Sequence, residues 1–213
     1  MPGRHPFAKP SACRASVWLL TDARLGRALF TAAAQLPPGS GIVIRDNERA
    51  QGARCRLARR LAAIARAHKL TILLAGPPAL ARRWGADGVH LRQRHARQAA
   101  QARRIGLIVS MPVHDPREAR AARRARADLA FVSPLHPTRS HPGAPTLTRA
   151  AWLRLARRSG AQAVALGGMT PARAATLRRA SKANGITPGW AAIDHWLEKA
   201  AKRRTQKRNA VPT

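Results

Sequence analysis

The sequence predicts one (β/α)8 barrel, an α/β fold in which eight parallel strands close into a cylinder inside a ring of helices. Short apolar runs alternate eight times with Ala/Arg-rich stretches of helical periodicity. The apolar runs are continuous, as strands of a parallel sheet buried on both faces require. All eight units fall within residues 16–201, which is enough chain for a small barrel.

The predicted strands are the short apolar runs, each ending near a polar residue, a glycine or a proline. They are residues 16–22, 41–46, 70–76, 88–92, 106–113, 128–134, 161–168 and 189–194. A doubly wound open sheet is the structural alternative. The barrel is favoured because "TDARLG" after the first strand lacks the GxGxxG turn of a dinucleotide-binding sheet.

A helix is predicted after every strand, and several carry recognisable end signals. Asp115 and Glu118 form the pattern of a capping box, with a proline between them at the first helical position. Thr148 and Gly160 are suited to begin and end the next helix. The predicted helical stretches are 23–36, 48–69, a short one from 77, 93–105, one from 115, 148–160, 170–185 and 195–203.

The charge is extreme, with 40 Lys and Arg against 9 Asp and Glu and a net charge of +31. Such a surplus attracts phosphate groups or nucleic acid. Compositional bias that places arginine on solvent-facing helix sides is the favoured explanation, because most arginines fall between apolar helix positions rather than in one block. Residues 1–15 and the basic stretch 202–213 are predicted to be disordered, which leaves 16–201 as the barrel.

The two cysteines, Cys13 and Cys55, have no disulfide or zinc spacing, so a reducing, cytoplasmic location is expected. The N-terminal stretch lacks the apolar core of a signal peptide, and no run approaches the length of a membrane span. We therefore expect no membrane partner. The sequence leaves the oligomeric state open, a homo-oligomer included.

The chemistry of such a barrel lies where its strands end. Asp87 and Asp128 precede their strands and are predicted to be structural, whereas Asp22, Asp46 and Asp194 end strands. The rim is otherwise basic and polar. A rim poor in acids and rich in Arg, His, Ser and Thr suits a phosphorylated ligand.

Several groups on this rim are candidates for a functional site. His114 follows the fifth strand and could transfer a proton or simply accompany the helix cap. The turn Gly167–Gly168 and the end of the eighth strand, Ala192 and Ile193, occupy the loops where barrels often bind phosphate. His136 and His141 lie on one proline-rich loop, but no cysteine or carboxylate completes a metal site there.

The motifs resemble those of the thiamine phosphate synthase family and of its relatives, the thiazole tautomerases. The matching pieces, in order, are "WLLTD", "IRDN", "WGADGVHLRQ", "VHDPREA", "ADLAFVSPLHPTRSHPGAP" and "VALGGMTPARA". The resemblance implies a barrel that couples an aminopyrimidine diphosphate to a thiazole phosphate, with pyrophosphate released and magnesium assisting. Catalysis would then consist mostly of stabilising the charge on the departing pyrophosphate.

The resemblance also implies roles for individual residues. In the loop 133–147, which would fold over the diphosphate, Thr138 and Ser140 match the family's phosphate-contacting hydroxyls. His141 stands where the family usually has lysine. Arg45 matches the arginine of the second strand and Ser110 loosely matches a serine of the fifth. Together with His114, the predicted catalytic groups are Arg45 and His141, while Gly167 and Gly168 match the turn that holds the thiazole phosphate.

The departures from the family pattern concern the metal. Ala75 and Gly76 stand where the family has Asn-Asp, of which the Asp binds magnesium, and His95 stands at the second metal-binding Asp. Asn47 replaces the lysine that ends the second-strand motif. Mg²⁺ would therefore need Asp22, Asp46 or the substrate's own oxygens, and arginine could replace part of its charge.

Three functions remain open from the sequence. The first is a divergent thiamine phosphate synthase acting on phosphorylated small molecules. The second is a barrel of the same family with altered chemistry, either tautomerase-like or a binder of thiazole phosphate. The third is a basic nucleic-acid-associated protein, which is disfavoured because no aromatic-lined sheet or recognition helix supports it.

Overall fold

Eight parallel strands form one closed sheet in the computed structural model, which describes residues 15–45, 50–140 and 142–209. Each strand pairs with the next along the chain, and the last pairs with the first. The strands are β1 (Val17–Leu20), β2 (Gly41–Ile44), β3 (Thr71–Leu74), β4 (Gly88–His90), β5 (Ile108–Val113), β6 (Leu129–Val132), β7 (Gln162–Ala165) and β8 (Gly189–Ala192). The predicted (β/α)8 barrel is confirmed.

A helix follows each strand and packs outside the sheet. The helices are α1 (Ala28–Ala34), α2 (Gln51–His68), α3 (Pro78–Arg83), α4 (Gln98–Arg104), α5 (Pro116–Arg124), α6 (Arg149–Ser159), α7 (Pro171–Ser181) and α8 (Asp194–Asn209), with 3-10 turns at Ala23–Leu25, Gln93–His95 and Lys182–Asn184. Thr148 and Thr170 cap α6 and α7 through their hydroxyls, and Gly160 ends α6 in the left-handed conformation. The strands are shorter than predicted at one or both ends.

Both predicted disordered ends differ in part from the structure. Ala15 is buried, and its carbonyl accepts a hydrogen bond of 2.9 Å from Trp18 Nε1. Helix α8 continues beyond 202 as far as Asn209. Ala200 is buried against the barrel, and the turns after it are rich in Lys, Arg and Gln, which favour helix. Residues 1–14 and 210–213 lie outside the described residues.

The interior of the lower barrel is filled by two aromatic side chains. Trp18 on β1 and Phe131 on β6 meet edge to face, with ring centroids 5.6 Å apart. Trp18 lies beside Gly41 in the parallel register of β1 and β2. A Cβ at position 41 would overlap the Trp18 ring, so only glycine leaves room for the indole.

The acids that precede strands tie the bottom of the sheet together, as predicted. Asp87 accepts a hydrogen bond of 2.9 Å from the backbone N–H of Ile72 on β3, and Asp128 accepts one of 2.9 Å from Val109 on β5. Each carboxylate thereby joins the start of its own strand to a neighbour. Among the described helices, none combines the length and the apolar character that a membrane crossing needs.

We expect Gly41→Ala to destabilise the fold because the new methyl group would overlap Trp18 in a closed, packed interior. Overpacking of this kind costs about 1–3 kcal/mol. The free energy of unfolding, measured by denaturant titration, checks this. Gly52→Ala is the matched control, since position 52 is exposed on α2 and meets only Arg56 Nη1, 3.6 Å away. That control should raise stability by about 0.5–1 kcal/mol, and a neutral Gly41→Ala would contradict the packing argument.

Candidate functional site

A cavity of about 1510 Å³ opens at the carboxyl ends of the strands. Its wall follows from the two-residue repeat of a strand, because residues at i and i+2 face the same side. The inward residues that line this wall, along the strands and their immediate extensions, include Leu20, Arg45, Ala75, His90, Pro112, Phe131, Leu166 and Ile193. The cavity is large enough for two small substrates at once.

His90 forms part of the cavity floor and is held neutral. Burial lowers the pKa of its imidazole to about 3, and the positive charges of Arg45, Arg92 and His114 act in the same direction. Its Nδ1 lies 2.9 Å from Ser110 Oγ, whose own hydroxyl donates to the carbonyl of Val89. Nδ1 therefore carries the proton and donates it to Ser110, which leaves Nε2 as an acceptor.

Ser110 does not reach the cavity wall. Its side chain is fully buried and hydrogen-bonds only within the barrel. The strand repeat explains this, since Pro112, two residues further, occupies the inward position that lines the cavity. The sequence match to a phosphate-binding serine thus falls one layer too deep, and Ser110 instead orients His90.

His114 pairs with Glu118 at the cavity wall. Glu118 Oε2 lies 2.7 Å from His114 Nδ1 and accepts a second hydrogen bond of 2.7 Å from the backbone N–H of His114. Asp115 caps α5 as predicted by accepting from the N–H groups of Arg117 and Glu118. The reciprocal contact of the capping box is shifted by one residue, and it fixes the imidazole of His114.

The loop 133–147 lies on the same rim as Arg45 and the turn Gly167–Gly168, and all three line the cavity. Backbone hydrogen bonds join Leu135 to Leu166 and His136 to Gly167, at 2.9 and 3.2 Å. Gly167 and Gly168 have positive φ angles of 98° and 56°, and side chains there would meet Pro134 and Pro137. The two glycines allow the loop to dock against β7.

Basic groups surround the turn Gly167–Gly168 at one end of the cavity. Arg173, in the first turn of α7, donates to the carbonyl of Gly168. Burial, followed by the charge of Arg173, lowers the pKa of His136. Helix α7 also directs its N-terminus here, and the positive end of a helix dipole favours an anion.

The predicted acids at the strand ends bind arginines of the rim directly. Asp22 binds Arg24 through both oxygens at 2.9 and 3.0 Å, and Asp194 binds the same guanidinium at 3.0 Å. These contacts, the Arg24 hydrogen bond first, lower the pKa of Asp22 although burial opposes them. Arg139 contacts Asp194 at 3.7 Å and Glu198 at 2.5 Å. The acids at the strand ends thus neutralise arginines of the rim.

The other predicted site residues are placed as follows. Thr138 lines the cavity, and its hydroxyl accepts from the backbone N–H of Ser140 at 3.3 Å. Ser140 also lines the cavity, as do Ala192 and Ile193 where β8 passes into α8. His141, Asp46 and Asn47 lie outside the described residues.

The described residues do not fit a carboxylate-bound metal. They hold no cluster of three His, Cys, Asp or Glu side chains that could bind one. Ala75 presents a methyl group to the cavity, where the resemblance implies an asparagine beside a metal-binding acid. Asp22 and Asp194 are already bound to Arg24.

Two residues of this site escaped the sequence interpretation. His90 stands within the quoted motif "GVHL", and the two-residue repeat of its strand would have placed it inward below Arg92. Arg24 follows a strand end, yet nothing in its surroundings along the chain distinguishes it from the other arginines. Its partners at 140 and 194 are distant in sequence, so only the fold reveals them.

We expect His90 to make stability depend on pH. Between pH 3 and 6.5, a histidine whose folded pKa is about 3 stays unprotonated in the folded state, whereas in the unfolded chain it binds a proton. Stability should therefore fall as the pH is lowered from 6.5 towards 3, by about 1.4 kcal/mol per pH unit from this group. His90→Gln should flatten the curve of unfolding free energy against pH in that window. Superimposable slopes for the two proteins would contradict a neutral, buried imidazole.

Comparison with known proteins places this geometry in a family. The family model described as thiamine monophosphate synthase matches residues 18–188. A thiamine-phosphate synthase of Chromobacterium violaceum is 35% identical over 159 residues, which cover 73% of this chain and 75% of that protein. One from Geobacillus kaustophilus is 34% identical over 134 residues, 62% of this chain and 60% of the relative.

A solved structure agrees with these sequence matches at the level of the fold. The thiamine phosphate pyrophosphorylase from Pyrococcus furiosus superposes with a TM-score of 0.69 at 18% identity, covering 90% of this chain and 98% of that one. The family match runs from Trp18 in β1 to the residue before β8 and so covers the cavity wall except for the part contributed by β8 and α8. The chain belongs to the thiamine monophosphate synthase family, whose members are transferases of thiamine biosynthesis.

Proposed function

We propose that this barrel couples an aminopyrimidine diphosphate to a thiazole phosphate, and that fixed cations of its rim, rather than a carboxylate-bound metal, stabilise the departing pyrophosphate. The thiazole nitrogen would form a bond to the pyrimidine methylene carbon, while the carbon–oxygen bond to the diphosphate breaks and its electrons leave with pyrophosphate. No proton transfer is needed for this exchange. A cytoplasmic location, expected from the sequence, belongs to the same proposal.

The observation that carries the proposal is a single cavity with two basic ends. Arg45, Arg92 and Arg94 line one side, at the ends of β2 and β4. Gly168, Arg173 and the N-terminus of α7 form the other. Two separate phosphate-bearing substrates need two such ends. The 1510 Å³ between them accommodates both rings.

The charge of the rim arginines supports stabilisation of a leaving pyrophosphate. Guanidinium groups bind phosphate oxygens through paired, charge-assisted hydrogen bonds. Preorganised cations that face developing negative charge lower the barrier without reorganising. Arg45 is held in this way, because its backbone N–H donates to Thr21 Oγ1 at 2.9 Å and its guanidinium donates to the carbonyl of Thr21 at 3.4 Å.

The floor of the cavity suits a flat aminopyrimidine. Phe131, Leu20 and Leu166 offer apolar contact. His90, whose Nε2 is the acceptor nitrogen, supplies a partner for an exocyclic amino group. A ring that both stacks on apolar groups and donates a hydrogen bond is thus recognised without an acid.

The pair of His114 and Glu118 favours a second candidate within the family. An imidazole fixed by a carboxylate can pass a proton between two positions of a thiazole ring, as a tautomerase requires, and this chemistry needs no metal. The pair is also compatible with the coupling reaction, in which it would only contact substrate. The two candidates therefore differ in whether a second substrate is consumed.

We expect the protein to form thiamine phosphate when both substrates are supplied, and to keep most of this activity in EDTA. The physical reason is that Arg45, Arg92 and Arg94 line the diphosphate end and supply positive charge there without a metal. The measurement is product formation with and without magnesium and chelator. Complete loss of activity on chelation would refute the role of the arginines, and tight binding of thiazole phosphate without coupling would favour the tautomerase-like alternative.

The loop 133–147 should contribute directly to diphosphate binding. Thr138→Val and His141→Ala each remove a donor from it, and each should weaken the affinity for the pyrimidine diphosphate by about tenfold, the effect of one lost charge-assisted hydrogen bond. Thr176→Val, on the exposed face of α7, is the matched control and should bind as the wild type does. Unchanged affinity in both loop variants would make the loop a structural cover only.

A further inference from the structure

We propose that Arg24 is a positioning residue that aims the hydroxyl of Ser140 at a phosphate oxygen of the substrate. This inference rests on the proposed function of the cavity. Arg24 itself does not line the cavity, whereas Ser140 does. Its guanidinium donates to Ser140 Oγ over 2.6 Å, so it acts through the serine from behind.

The hydrogen bond from Arg24 determines how the Ser140 hydroxyl can be used. A serine hydroxyl has one hydrogen and two acceptor positions. Because Ser140 Oγ accepts from a cation, its hydrogen remains available and turns away from Arg24, towards the cavity. Accepting a charge-assisted hydrogen bond also polarises the O–H group and strengthens it as a donor. An anion in the cavity is the acceptor that such a donor fits.

Two carboxylates keep Arg24 in this position. Asp22, at the end of β1, binds the guanidinium through both oxygens, and Asp194, at the start of α8, binds it through one. Asp22 is in turn 3.9 Å from Arg45 Nη2. With Arg139 between Asp194 and Glu198, the six side chains alternate in charge around the rim. The opposing charges hold Arg24 in place without using its contact to Ser140.

The contact between Arg24 and Ser140 matters because the base and the tip of the loop 133–147 are held by different kinds of hydrogen bond. At its base, the N–H groups of Leu135, His136 and Leu147 donate to backbone carbonyls. Near its tip, the contacts are made by side chains, namely Ser140 to Arg24 and Arg139 to Glu198. Removing Arg24 should therefore loosen the tip while the base stays docked.

The test compares Arg24→Gln, Ser140→Ala and the double variant, with inorganic pyrophosphate as the ligand measured by titration calorimetry. Arg27→Gln is the matched control, since it removes the same charge three residues away at the exposed start of α1, where its side chain makes no capping hydrogen bond. Each of the two single variants should weaken pyrophosphate binding by about tenfold. The double variant should be no weaker than Ser140→Ala, because Arg24 acts through that hydroxyl.

Multiplying losses in the double variant, or an Arg24→Gln affinity within twofold of the wild type, would overturn the proposal. Hydrogen exchange of the loop amides gives a readout that needs no ligand, and Arg24→Gln but not Arg27→Gln should speed exchange near residue 140. If the wild type binds no pyrophosphate, the proposed function fails, and unchanged exchange in Arg24→Gln would then overturn the role of Arg24 separately.

Discussion

The pairing of β1 with β8 is the constraint on which the rest of the structure depends, because it closes the sheet and gives every strand an inside. Inside a cylinder this small, alternate residues of each strand point inward, and inward residues of different strands share the same limited space. Trp18 and Phe131 meet edge to face below the cavity, where Phe131 forms part of the cavity floor, and Gly41 makes room for the indole. The next inward layer is left incompletely filled, and that layer is the cavity. Packing at the bottom and binding at the top are therefore two consequences of one repeat.

The few acids of the described chain have different structural roles at the bottom of the sheet and at the upper rim. Asp87 and Asp128 hold backbone N–H groups at the bottom of the sheet, and Asp115 caps a helix. The remaining described acids fix a cation or an imidazole at the upper rim: Glu118 holds His114, Asp22 and Asp194 hold Arg24, and Glu198 holds Arg139. In a chain of net charge +31, each of the described acids thus acts locally, and a large positive field is left for anionic substrates.

The sequence predicts the fold well because its signals are local. Continuous apolar runs and helix caps depend on neighbours along the chain, so the strands, the caps of α5 and α6, and the shared rim of Arg45 and the loop 133–147 all follow from pattern. The depth of a residue within the barrel does not follow from the sequence pattern. Ser110 and Pro112 share a face, and only the tilt of β5 in the closed sheet decides which reaches the cavity. Contacts between distant segments are equally invisible in the sequence, as Arg24 with its partners at 140 and 194 demonstrates.

The altered metal positions and the arginine-rich rim can be understood as one adaptation. A divalent ion between a diphosphate and two acids contributes a net charge near zero, because the acids cancel the ion. Gly76 and His95 stand at the positions of the two acids and carry neither negative charge, so the same field at the diphosphate can be reached by cations alone. Arginine suits this exchange since it stays charged at any working pH and binds phosphate through two parallel hydrogen bonds. The arginine side chains of such a rim repel one another, so something must hold them in position. The alternating pairs from Arg45 through Asp22, Arg24, Asp194 and Arg139 to Glu198 meet that need, because each cation in the row has an acid beside it.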